Sequence, residues 1–230
     1  MKDRKSKRRN RSLMQLFKYP KSGPENLIWF LLGFMLLHSC QSPKRELPIY
    51  NPADINPLLV DSAVRDRRQN HTIANFSLIN QNRELVTQDD YKDKIYVTDF
   101  IFTRCPSICP LMTNNMEKLQ EAFKGDGDVK FLSLSVTPEI DSVPVLKEYA
   151  LNNGVMDNKW NIVTGSKRQI YDLARKSFFA VVDEGDGGLQ DFIHTERFIL
   201  VDKKKQIRGF YDGTKDADIK QLILDIKTLE

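Results

Sequence analysis

The sequence predicts an α/β domain, a mixed central sheet flanked by helices, standing behind a basic leader and an extended tether. Two observations carry this reading. From about His71 onward, short runs rich in β-branched and aromatic residues alternate with stretches whose apolar residues recur at helical spacing, and the chain closes on a hairpin and a helix. Ahead of that point, charge, hydropathy and proline content are all unlike those of a packed domain. At 230 residues, 40% hydrophobic and 29% charged, the chain holds enough material for one ordinary domain and an appendage.

Residues 1–26 carry nine Lys or Arg against Asp3 and Glu25, a net of +7; the whole chain carries +4, which leaves −3 for residues 27–230. The high isoelectric point therefore describes a tail. The folded part has no cationic excess, and no nucleic-acid partner is expected. Leu27–Leu37 (LIWFLLGFMLL) is apolar apart from one glycine. It has about half of the roughly 20 residues a transmembrane helix needs and fits the apolar region of a signal peptide. It stops at Leu37-His38-Ser39-Cys40, which resembles a bacterial lipobox, with an aliphatic residue at −3 and a small one at −1. His38 at −2 and the long basic stretch depart from that pattern. Cys40 is the expected lipidation site, and a short uncleaved anchor is the alternative. In both cases the positive charge holds the tail in the cytoplasm and the rest of the chain is exported, so the domain is expected on the periplasmic or extracytoplasmic side of a membrane. Residues 1–40 are thus read as tail and lipoprotein-type signal. Residues 41–70, with Pro43, Pro48, Pro52 and Pro57, are read as an extended tether, and 71–230 as the domain.

Within the domain, Phe76–Asn80 reads as a short strand, Gln81-Asn82-Arg83 as a turn, and Lys94–Thr103 (KIYVTDFIFT) as a buried central strand. Pro110, a residue favoured at the first helical position, opens a helix expected to run through Phe123, with Leu111, Met112, Asn115, Leu119 and Phe123 at helical spacing. Val129–Val136 is a second buried strand, Ser142–Asn153 a helix and Asn161–Thr164 a third strand. Ser166–Phe178 is expected to be a helix opened by a capping box of Ser166 and Gln169. Arg197–Val201 and Ile207–Tyr211 flank Asp202-Lys203-Lys204-Lys205 as a hairpin with a solvated tip, and Asp216–Leu229 is a closing amphipathic helix.

Three cysteines, Cys40, Cys105 and Cys109, are too few for a disulfide framework. Cys105-Pro106-Ser107-Ile108-Cys109-Pro110 lies between a buried strand and a helix start. With Pro110 as the first helical residue, Cys109 takes the N-cap, and both sulfurs lie near the positive end of the helix dipole beside Arg104. Such surroundings favour thiolate. A thiolate ligates a soft metal and also attacks a disulfide, so electrostatics leave both roles open. Three intervening residues, in place of the two of a C-x-x-C redox motif, let both sulfurs converge on one ion. Two thiolates do not fill a metal's shell. Of the three histidines, His38 belongs to the leader and His71 begins the domain, which leaves His194, in a loop just ahead of Arg197–Val201. A lone loop histidine is more often a solvated surface residue; the unexplained dithiol makes this one a candidate ligand.

These residues resemble the signature of the Sco (SCO1/SenC) family: an aromatic-rich strand, then T-x-C-P-x-x-C-P, and one downstream histidine before a strand ending in Val/Ile-Asp. The chain offers Phe102-Thr103-Arg104-Cys105-Pro106-Ser107-Ile108-Cys109-Pro110, and later Ile193-His194-Thr195 ahead of Phe198-Ile199-Leu200-Val201-Asp202. Asn75-Phe76-Ser77-Leu78 and Leu134-Ser135-Val136-Thr137-Pro138-Glu139-Ile140-Asp141 are weaker matches. Ser107 stands where many members carry aspartate, which leaves the implied ligands intact but bears on partner docking and redox poise. The resemblance runs from about His71 to the C-terminus and implies a thioredoxin-like fold in which Cys105, Cys109 and His194 bind Cu(I) or Cu(II). It further implies a metallochaperone that supplies copper to the CuA centre of cytochrome c oxidase or keeps its cysteines reduced. The implied partner is the CuA-bearing subunit or another copper or thiol protein. Ligand chemistry agrees, because two thiolates and an imidazole suit copper, whereas structural zinc normally takes a fourth protein ligand; zinc stays open as the alternative metal.

The competing reading is an enzyme, a thiol-disulfide oxidoreductase that uses Cys105 and Cys109 on protein cysteines and is indifferent to His194. The three-residue spacing stands against it, as does the lack of a proline near His194, where thioredoxin-type enzymes place a cis-proline. A peroxidase of related fold fits less well, since the two cysteines lie so close together. An oxidising compartment drives an idle dithiol to a disulfide, so a copper role needs a reductant or protection by bound metal. Met112 and Met116 read as core packing and surface packing respectively, not as further ligands. Asp183-Glu184-Gly185-Asp186-Gly187-Gly188 is calcium-like in composition, but it lacks the length and terminal Glu of an EF-hand loop and reads as a flexible loop.

Overall fold

The computed structural model describes residues 45–55, 71–181, 185 and 191–230. The basic tail, Leu27–Leu37, Cys40, residues 56–70 and all of the Asp183–Gly188 loop but Gly185 lie outside the described residues. In chain order the elements are β1 (Ser77–Asn80), β2 (Leu85–Thr87), β3 (Ile95–Ile101), α1 (Cys109–Ala122), β4 (Val129–Ser135), α2 (Val143–Asn152), β5 (Trp160–Thr164), α3 (Lys167–Asp172), β6 (Arg197–Val201), β7 (Ile207–Asp212) and α4 (Asp216–Leu229). They build one seven-stranded sheet in the order β2-β1-β5-β4-β3-β6-β7. The central trio β3, β4 and β5 runs parallel, while β1 pairs antiparallel with β5 and β6 with β3, so the sheet is mixed.

The β-branched and aromatic run of β3 follows from its place: all seven residues, Thr98 and Asp99 included, are buried, because both faces of the sheet are covered. Ile95, Val97 and Ile101 point to one core, shared with Met112, Met116 and Leu119 of α1, Leu146 of α2 and Leu222 of α4. Tyr96 and Phe100 point to the other, with Leu132, Leu134, Val163 and Phe178. Met112 is core, as expected. Met116 corrects the surface-packing reading, since it is fully buried one helical turn further along the same face.

Three departures from the expected elements have physical causes. Strand β2 was not foreseen because three residues give no periodicity, and its Leu85 is exposed. It pairs with β1 across the turn at Gln81-Asn82-Arg83, where Arg83 takes φ 64 and the Asn80 side-chain oxygen accepts from the amides of Asn82 and Glu84, both at 2.9 Å. The helix expected over Ser166–Phe178 is α-helical only to Asp172. Leu173–Ser177 then widens into a π-turn in which Phe178 N–H donates to Leu173 at 2.8 Å, and Ser166 makes no side-chain capping bond. Part of the expected tether is packed. Leu47, Pro52 and Ile55 are buried, Tyr50 N–H donates to Ile207 at 2.9 Å on the edge strand β7, and the Tyr50 ring meets Phe210 edge-on at 5.2 Å. Three apolar anchors scattered among prolines leave no periodic signal in the sequence.

Candidate metal centre

Strand β3 delivers the chain from the middle of the sheet to its parallel-strand C-terminal end, where α1 begins. Cys105 N–H donates back to the Phe102 carbonyl at 3.3 Å, which turns the chain over the strand end. Cys109 is the first residue of α1, Ile108 is the N-cap at φ −83 and ψ −31, and Met112 N–H closes the first turn on the Ile108 carbonyl at 3.0 Å. The helix thus starts one residue earlier than Pro110 implied, because proline fits the second helical position as readily as the first when neither needs an N–H donor. Cys109 sits inside the first turn and not on the cap. Both thiols are free and nearly covered, Cys105 at 8% exposure and Cys109 at 4%.

The two sulfurs are not electrostatic equals. Burial alone would raise the Cys105 thiol. The backbone amide and thiol of Cys109 and the amides of Ser107 and Ile108 all donate toward its sulfur, and together they bring it below the ordinary cysteine value. Cys109 is pushed up to about 12, by burial first and then by the bond its thiol donates to Cys105. The Phe102 amide opposes this, and the charges of Cys105 and Asp99 add to it. The expectation that helix position favours thiolate at both cysteines holds only for Cys105. One sulfur takes the donors of the helix start; the other becomes one of those donors.

Two polar groups complete the surroundings. Asp99 is fully buried in β3, on the strand face that carries Val97 and Ile101 toward α1. Its Oδ1 accepts from Ser133 Oγ at 2.5 Å, Trp160 Nε1 donates to the same Ser133 oxygen at 2.8 Å, and its Oδ2 has no protein partner. Burial raises this carboxyl to about 7 against the lowering effect of Ser133. Tyr149 of α2 shares a 2.6 Å hydrogen bond with Thr113 of α1 and is pushed up to about 12, chiefly by burial.

His194 is exposed on a segment pinned at both sides. Ahead of it, Ile193 is buried in the core, Asp191 forms a 2.6 Å ion pair with Arg175, and the Phe192 ring meets Phe102 edge-on at 5.0 Å. Behind it, Thr195 Oγ1 donates to the Ala180 carbonyl at 2.9 Å. The structure therefore brings Cys105 and Cys109 together and lays the His194 segment against the strand end that leads into the cysteine loop. It leaves the imidazole in solvent. Among the described residues no group of three or more His, Cys, Asp or Glu stands close enough to hold a metal ion, and none of their helices is long and apolar enough to cross a membrane.

Comparison with known proteins places the whole domain. The family model described as SCO1/SenC matches residues 64–229. The chain belongs to the SCO1/SenC family. It is similar to a SCO1/SenC family lipoprotein from Bacillus anthracis str. Ames, at 33% identity over 70% of this chain and 95% of that one, with a TM-score of 0.62. It is also similar to BsSco, described as a member of the Sco family of cytochrome c oxidase assembly proteins in which a disulfide switch was identified. That match has 34% identity over 70% of this chain and 94% of BsSco, with a TM-score of 0.60. ScoI of Arabidopsis thaliana, solved with copper bound, is 27% identical over 68% of this chain and 97% of its own, with a TM-score of 0.54. The fold is thus the thioredoxin-like one of the Sco proteins, a mixed sheet between helices.

In this Sco-family chain the sequence reading passed over Asp99, whose signal was a lone carboxylate within a β-branched run (KIYVTDFIFT). It also passed over Tyr149 and Phe192, which carry no local pattern, because their contacts with Thr113 and Phe102 arise only on folding.

Proposed function

We propose that this Sco-family chain is an envelope-anchored copper metallochaperone in which Cys105, Cys109 and His194 bind one copper ion, as Cu(I) or Cu(II). We further propose that it delivers that ion to the CuA-bearing subunit of cytochrome c oxidase. The observation that carries the reading is the pair of buried, free thiols at the start of α1, Cys109 directed as a donor toward Cys105, with His194 on the adjoining segment. Two thiolates and an imidazole form a soft donor set suited to copper. The donors around Cys105 bring its thiol below the ordinary cysteine value, and ligation removes the proton that Cys109 retains, because a thiol that binds a metal is deprotonated. Copper in Arabidopsis ScoI supports the cargo, and the oxidase assembly role of BsSco supports the recipient. The lipoprotein nature of the Bacillus anthracis relative supports anchoring through Cys40, with the domain on the extracytoplasmic side.

A second reading draws on the unequal thiols and on the disulfide switch of BsSco. In it the chain reduces protein disulfides: the Cys105 thiolate attacks one sulfur and expels the other as a thiolate, which takes the Cys109 proton; the Cys109 thiolate then attacks the Cys105 sulfur and expels the remaining substrate sulfur as a thiolate, leaving a Cys105–Cys109 disulfide. Copper titration of the full chain, purified in detergent, separates the two. The metallochaperone binds one ion per chain with thiolate-to-Cu(II) charge-transfer absorption and loses affinity in His194→Ala. Equal binding by that variant refutes the three-ligand site, whereas disulfide reduction is indifferent to it.

A further inference from the structure

Asp141 lies in the turn between β4 and α2 and is fully buried. Its carboxylate accepts four hydrogen bonds: from Thr103 Oγ1 at 2.6 Å on one oxygen, and from Thr103 N–H at 3.2 Å, Ser135 Oγ at 2.6 Å and Thr137 Oγ1 at 2.9 Å on the other. Its own N–H donates to the Thr137 carbonyl at 2.8 Å. A buried carboxylate is tolerated only when its lone pairs are filled in this way, and bonds to a charged acceptor are about twice as strong as neutral ones. Two of the four donors belong to Thr103, and the other two to the end of β4 and the turn after it. The carboxylate thus ties the first turn after β4 to the start of the cysteine loop.

Thr103 is the neighbour of Phe102, and Phe102 touches both cysteines through its backbone. Its carbonyl accepts the Cys105 N–H at 3.3 Å, and its amide is a donor to the Cys109 sulfur. A shift of Thr103 therefore turns the Phe102 peptide groups and moves the two sulfurs relative to one another. We propose that Asp141 is a positioning residue for the cysteine pair: by gripping Thr103 through both hydroxyl and amide, it holds the loop in its dithiol geometry and favours that form over the disulfide. The inference rests on Cys105 and Cys109 being the working pair, and it involves no copper.

The test is the dithiol–disulfide equilibrium of the copper-free full chain against dithiothreitol, read by thiol tagging and mass spectrometry. Thr103→Val removes the hydroxyl and keeps the shape; Asp141→Asn removes the charge; Thr103→Ser restores the hydroxyl. Tyr211→Phe removes a hydroxyl from another buried carboxylate, Asp225, where β7 meets α4. Thr103→Val is expected to shift the equilibrium at least fivefold toward the disulfide, about 20 mV for this two-electron couple. Asp141→Asn is expected to shift it in the same direction, which keeps the test decisive if Thr103→Val does not fold. Thr103→Ser is expected within twofold of the parent protein, and so is Tyr211→Phe although its stability falls. Parent-like values for folded Thr103→Val or Asp141→Asn overturn the proposal, as does an equal shift in Tyr211→Phe. Because no metal is present, failure here leaves the copper titration untouched, and the converse also holds.

Discussion

Replacing Asp99 with asparagine is expected to remove a loss of stability that the wild type suffers as pH rises. In the folded protein this carboxyl titrates at about 7, raised by burial; in the unfolded chain it titrates near ~3.9. Between those values the folded state keeps a proton that the unfolded state has released, so the wild type loses stability as pH rises from about 4 to 7 and levels off above that. Three pKa units at about 1.36 kcal/mol each give a loss on the order of 4 kcal/mol. Asparagine carries no charge and escapes this loss. Its amide nitrogen stands where Oδ2 has no protein partner, as does the carboxyl proton of the wild type at low pH, so the unmatched donor is common to both. Asp99→Asn is therefore expected to match the wild type within about 1 kcal/mol at pH 4 and to be more stable at pH 8 by roughly 4 kcal/mol. Urea unfolding of both proteins across this range, followed by circular dichroism, measures the difference. A difference that stays constant with pH refutes the reasoning, because it means that Asp99 ionises in the folded protein as it does in the unfolded chain.

Alkylation by iodoacetamide at pH 7, followed by peptide mass spectrometry, should label Cys105 first and leave Cys109 largely unmodified. The first sulfur is stabilised as thiolate, and the second is held protonated until pH approaches about 12. Copper affinity should rise with pH across the neutral range by about tenfold per unit for each proton displaced, as ligation takes the proton from Cys109; a pH-independent affinity, read by competition with a chelator, contradicts the assigned thiol state. Met116→Ala should cost about 2–5 kcal/mol in chemical denaturation, the range for a fully buried large side chain, where a surface methionine would cost little.

Much of the fold was legible because its signals are local. The buried run of β3, the hairpin of β6 and β7, and the apolar spacing of α1 and α4 are each written in consecutive residues. The cysteine pair was legible for the same reason. The features that stayed hidden depend on contacts between distant segments. The sequence placed both cysteines at a helix start, but not the hydrogen bond from Cys109 to Cys105 that splits their acidities. It named His194, but not the Phe102–Phe192 contact that brings its segment to the cysteine loop. Asp141 appeared only as the last residue of a family-like stretch, while its grip on Thr103 spans 38 residues of sequence. The docking of Leu47 and Tyr50 was hidden because an extended, proline-rich segment looks alike whether it is solvated or laid along an edge strand.

X-ray absorption at the copper edge of the Cu(I)-loaded full chain tests the three-ligand site most directly. Two sulfur scatterers and one imidazole nitrogen are predicted for the native protein, with the nitrogen lost and both sulfurs kept in His194→Ala. A copper shell without sulfur, or an imidazole signal unchanged in His194→Ala, would contradict the assignment of Cys105, Cys109 and His194 as the ligands.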